Sequence, residues 1–98
     1  NKIQNNIAAI RNNIHYQLQT ATVNYVNTLE NLEMVKENVK LAEDMVNDMN
    51  TRYSNSVATY QEVLDAENVL KETEFNYLQA LYVFLVAELD WKKANGKL

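Results

Sequence analysis

Cysteine and proline are absent from this 98-residue chain, and glycine and histidine occur once each. Without cysteine there are no disulfides, no thiolate nucleophile and no thiolate metal site, although this leaves the compartment open. Without proline, and with a single glycine, the chain has almost no means of breaking a helix or making tight turns, so nearly all of it should be helical. Basic clusters are missing too. A net charge of −4 and a pI near 4.9, with no basic stripe, argue against generic nucleic-acid binding, which needs clustered Lys and Arg to displace counterions from phosphates. The longest uninterrupted apolar run, Ala80 to Ala87, falls far short of the roughly 20 residues that span a bilayer. The chain begins without an initiator Met or a signal-peptide pattern, and is expected to be a soluble piece of something larger.

What is present is heptad periodicity. Ile7, Ile14, Ala21, Thr28, Val35, Ala42 and Met49 recur seven apart, with a companion row at Leu18, Tyr25, Leu32, Val39, Val46 and Tyr53. This seam holds from about residue 18, but upstream the companion row shifts by one position to Ile3 and Ile10, which predicts a change of supercoil or of partner there. A second pattern sets Val63, Leu70, Tyr77, Phe84 and Trp91 in one row and Ala66, Thr73, Ala80, Ala87 and Ala94 in the other. Large residues beside small ones let a neighbouring helix approach closely, which favours specific antiparallel packing.

The same helix carries a second stripe at helical spacing: Phe75, Leu78, Tyr82, Leu85 and Leu89. One partner helix cannot cover both. Each large side chain left in water forgoes roughly 1.5 to 3 kcal/mol of burial, so another surface is expected, and the isolated chain is expected to self-associate into a bundle. Leu29, Met34, Leu41 and Met45 are off-seam apolar positions on the first helix.

Polar residues say less. Residues 1–29 hold no acidic residue, whereas Glu30 to Asp48 is acidic and reads as a solvated face. Asp48 with Arg52, Glu67 with Lys71 and Glu88 with Lys92 have the i to i+4 order that supports helices. His15 has no carboxylate at ligand spacing, and the Glu-x-x-His pairs of di-iron bundles are missing. Asp44 with Asp48, and Glu30, Glu33 and Glu37, are better read as solvated than as cation ligands. Tyr77, Phe84 and Trp91 are better read as core than as a ligand box. No catalytic residues, cofactor or metal site are expected, and the chain is not read as an enzyme.

Between the two patterns lies Arg52 to Ala66. Thr59 followed by Glu62 fits a capping box, and Ala58 with Val63 a weak hydrophobic staple. The expected architecture is therefore all-α: one antiparallel coiled-coil hairpin over 1–98, with helix 1 at about 2–54, a tip at 55–59 and helix 2 at about 60–95. Asn55 or Ser56 should be the left-handed residue that reverses the chain, and Asn95-Gly96 the far stop. The arms are unequal, roughly 75 and 55 Å at about 1.5 Å per residue.

These residues carry a resemblance. Arg52-Tyr53, the short turn Ser54 to Thr59, and Val63-Leu64-Asp65-Ala66 resemble the second structural repeat of the TolC-like outer membrane efflux proteins. That repeat has an Arg-Tyr or Gly-Tyr step, a Gly-containing turn, then Val-Leu-Asp-Ala. The likeness continues through Asn76-Tyr77-Leu78, Ala80-Leu81-Tyr82 and Ala94-Asn95-Gly96. It covers about Leu41 to Gly96, whereas residues 1–40 agree only in helical character.

The resemblance implies one helical hairpin of the periplasmic barrel of a trimeric efflux or type I secretion duct, anchored in a Gram-negative outer membrane and able to support multidrug resistance. It implies an adaptor protein as the partner and, through it, an inner membrane pump. By position, Asn55, Ser56, Val57, Ala58 and Thr59 would form the docking tip, supported by Arg52 and Tyr53, while Glu62 and Asp65 would line the narrowed pore mouth. Ser56 stands where the family usually has Gly, and Ala58 where some members have a basic residue. The alternative is a coiled-coil interaction module, such as an adaptor hairpin that mates with such a duct.

Overall fold

The computed structural model describes residues 2–96, which form two helices, α1 (Lys2–Ser54) and α2 (Tyr60–Gly96), packed as an antiparallel hairpin with no strand among the described residues. The heptad rows explain the pairing. Ala42, Val63, Ala66, Ala80, Ala87 and Ala94 are the buried apolar residues. Other seam positions, among them Ile14, Leu18, Tyr25, Leu32, Val39, Val46 and Met49 on α1 and Leu70, Tyr77, Phe84 and Trp91 on α2, are half-buried, whereas Ile7 and Tyr53 are exposed. Five of the six fully buried side chains belong to the α2 rows and four of those five are alanines, because small residues let the helix axes close while the larger knobs fill the flanks.

Packing divides the chain into two compact units: a turn unit, Asn31–Leu81, and an end unit made of the described residues up to Glu30 together with those from Tyr82 onward. Ala42, Val63, Ala66 and Ala80 form the core of the turn unit. In the end unit Ala87, 1% exposed, and Ala94 are buried, and the same unit holds an aromatic cluster. There Tyr25 stacks on Trp91 with ring centroids 4.9 Å apart and tilts against Phe84 at 5.4 Å. The Trp91 indole N–H donates to Thr22 Oγ1 at 3.1 Å, and that hydroxyl in turn donates to the Leu18 carbonyl at 2.7 Å.

This contact sets the register of the end unit. With Trp91 level with Thr22, Gly96 comes level with about residue 17, since an antiparallel partner steps back as α2 steps forward. Ile3, Ile7 and Ile10 accordingly stand exposed on α1, where the companion row shifts. Along the helices Asp48 pairs with Arg52 at 3.1 Å and Glu88 with Lys92 at 2.9 Å. Glu67 and Lys71, also four apart, form no ion pair.

The far stop differs from expectation. Gly96 is still helical and has no positive φ, so it does not act as a left-handed cap among the described residues. The Asn95 side-chain amide donates to the Trp91 carbonyl one turn back, at 3.2 Å, adding a side-chain bond to the last turns of α2.

Candidate functional site

The turn is built on a left-handed serine. Ser56 has φ 62°, the only positive φ of a non-glycine residue among those described. Its amide donates to the Tyr53 carbonyl at 3.0 Å and the Val57 amide to the Arg52 carbonyl at 2.8 Å. This pair of bonds is the Schellman motif, with Ser56 in the position that glycine usually holds. The Ala58 amide also points at the Arg52 carbonyl, at 3.3 Å. Of the two residues expected to reverse the chain, Ser56 does so and Asn55 does not.

Thr59 caps α2. Its Oγ1 accepts from the Glu62 amide at 3.2 Å, as a capping box requires. The return arm is different: the Glu62 carboxylate accepts the Thr59 hydroxyl proton at 3.3 Å rather than the Thr59 amide. One hydroxyl therefore serves as both acceptor and donor, and Glu62 remains exposed. Asp65, also exposed, accepts from the Gln61 side-chain amide at 2.9 Å.

The sequence-predicted tip residues come together, mostly in water. Arg52, Tyr53, Asn55, Ser56, Val57 and Thr59 are exposed, and Ala58 is half-buried. Val57 is the most prominent apolar side chain of the turn at 73% exposure. Tyr53 does not join the seam as its heptad position suggests. It faces Tyr60 across the turn, with ring centroids 6.0 Å apart, because the chain reverses before α2 can cover it.

The second stripe lies on the side of α2 turned from α1. Tyr82 is two residues from both Ala80 and Phe84, so it points about 160° away from them at about 100° per residue. Leu89 has the same relation to Ala87 and Trp91, and Phe75 to Thr73 and Tyr77. In the turn unit Phe75 and Leu78 are 60% and 61% exposed, and in the end unit Tyr82, Leu85 and Leu89 are 71%, 48% and 59% exposed. Met34, Leu41 and Met45 on α1 are likewise exposed, whereas Leu29 is half-buried.

Each unit also has an open groove, lined by other residues. The end unit has one of about 810 Å³, lined among others by Tyr16, Val23, Asn24, Asn27, Asp90 and Lys93. In the turn unit a groove of about 630 Å³ runs between Glu33, Lys36, Glu37, Lys40, Glu43 and Tyr77. Among the described residues no polar or charged side chain is buried, and no group of three His, Cys, Asp or Glu side chains is placed to hold a metal. No described helix is long and apolar enough to cross a membrane. Lys92 has a displaced titration: its hydrogen bond to Glu88, reinforced by the charge of that carboxylate, raises the ammonium pKa above its ordinary 10.5.

Periodicity placed Tyr25 on the seam but did not single out Thr22. The signal was present, because a reversal near Ser56 sets both level with the end of α2, opposite Trp91. No protein-family model matches the chain, and no curated protein or solved structure is significantly similar to it.

Proposed function

We propose that this hairpin is a segment of the periplasmic helical barrel of a TolC-like efflux or secretion duct, and that its tip docks a periplasmic adaptor protein. The observation that carries the reading is the two-sidedness of α2. A hairpin complete in itself needs one apolar face on α2. A staved wall needs two, since each helix is flanked on both sides, and the Phe75 to Leu89 positions supply the second. Uncovered, those side chains forgo roughly 1.5 to 3 kcal/mol each.

The turn fits the docking role because it offers an exposed Val57 on a backbone held by the Schellman bonds, so that little ordering cost remains for binding. Under this reading the longer protein is a homotrimer in the outer membrane, connected through the adaptor to an inner membrane pump. Glu62 and Asp65 then contribute carboxylate rings at the pore mouth, attracting cations and resisting closure by like-charge repulsion. Glu62 holds its cap through one carboxylate oxygen, which leaves the other for that role.

Replacing Val57 with Asp in the full-length protein tests the reading. Dye efflux and cross-linking of the tip to the adaptor should both fall, with the amount of folded protein unchanged. Normal efflux and cross-linking would remove the docking role. Absence of a second such hairpin and of flanking amphipathic strands in the full-length gene would remove the duct itself and favour a coiled-coil interaction module.

A further inference from the structure

We propose that the free chain pairs with a second copy of itself running in the opposite direction, the outward α2 face of the end unit in one copy packing on that of the turn unit in the other. Two observations carry it. The first is the spacing of the exposed row: Phe75, Leu78, Tyr82, Leu85 and Leu89 step by three, four, three and four residues, a heptad seam in its own right. Run against itself, the row brings Phe75 of one copy level with Leu89 of the other and Leu78 level with Leu85, while Tyr82 falls near the two-fold axis. At 48% to 71% exposure these side chains offer on the order of 650 Å² per copy, so the pair clears the roughly 1,000 Å² total that separates specific interfaces from casual ones.

The second observation is charge, which decides direction. The turn unit holds four basic and ten acidic residues, a net of −6, and the described residues of the end unit four basic and three acidic, a net of +1. Copies running the same way would set −6 beside −6; copies running in opposite directions set −6 beside +1 at both ends. Like charges juxtaposed across an interface are strongly disfavoured, and complementary potentials fix register. Glu72, three residues before Phe75, and Lys93, four after Leu89, flank the row at its two ends and come level with each other only in the opposed arrangement. The pairing stands apart from the duct reading, in which a longer chain would impose the direction.

The absence of cysteine makes the test clean. Phe75→Cys and Leu89→Cys variants, mixed and oxidised, should form the 75-to-89 disulfide and little of either homodisulfide, with helicity by circular dichroism unchanged. A dominant 75-to-75 disulfide would overturn the proposal, as would a monomer by light scattering of the unmodified chain at about 100 μM. Charge exchange provides a second readout that leaves the apolar row intact. Glu72→Lys and Lys93→Glu should each weaken the dimer about three- to tenfold at low salt. An equimolar mixture should recover wild-type affinity, because in the mixed dimer one flanking pair is native and the other is restored with reversed sign. No recovery on mixing would refute the opposed register.

Discussion

Ser56 offers the sharpest test of how the turn is held. A side chain at φ 62° brings Cβ close to the following carbonyl, at a cost of roughly 1 to 2 kcal/mol relative to the right-handed region. Glycine removes that cost but loses more conformational freedom on folding, by roughly 0.5 to 1 kcal/mol. The difference predicts that Ser56→Gly stabilises the hairpin by about 0.5 to 1 kcal/mol, provided the two Schellman bonds to Arg52 and Tyr53 survive. For a chain of this size that raises the thermal midpoint by about 2 to 8 °C. Asn55→Gly is the control: Asn55 does not have positive φ, so glycine there brings only the entropy loss and should destabilise by about 0.5 to 1 kcal/mol. Thermal unfolding followed by circular dichroism, at one fixed concentration because any self-association shifts the midpoint, distinguishes the two. If Asn55→Gly stabilised and Ser56→Gly did not, the assignment of the left-handed residue would be wrong.

Thr59→Ala should cost about 1 kcal/mol by removing the cap on the Glu62 amide, with Glu62→Gln costing less, as measured by urea unfolding. Ala87→Leu, at the most buried position, should overpack the end unit by about 1 to 3 kcal/mol, and an unchanged midpoint would mean that the helices can separate there without penalty. Trp91→Phe keeps most of the ring contact with Tyr25 but loses the hydrogen bond to Thr22, for about 1 kcal/mol; matching loss in Thr22→Val without additivity in the double variant would assign the effect to that bond. Lys92 titrates above 10.5 when folded, so its contribution is complete below that pH and is lost as pH rises through the folded value. Glu88→Gln should bring the Lys92 titration seen by NMR back toward its ordinary position and remove the alkaline loss.

Both seams of the hairpin, the end of α1 at Ser54 and the start of α2 at Tyr60 were legible in the order of residues. Heptad spacing, Thr59 with Glu62, and the lack of proline are local signals that need no knowledge of distant contacts. The same holds for the outward row of α2, since two apolar stripes on one helix cannot both face one neighbour. Local signals were weaker where two residue types could do one job. Asn55 and Ser56 both suited a left-handed turn, and only the closure of the bonds from Ser56 and Val57 to α1 chose between them. Tyr53 occupies a seam position by spacing, yet it is exposed because the reversal sets only the exposed ring of Tyr60 across from it.

What only the tertiary structure decided is which side chains meet across the pair: Tyr25 with Phe84 and Trp91, and Thr22 with the Trp91 indole. Sequence alone determined that two long helices form, where they break, and that α2 has two apolar sides. Those properties follow from backbone preference and helical period, which act over a few residues. Cross-helix register depends on how the turn sums its dihedral angles, and a change of one residue there slides every contact along both arms.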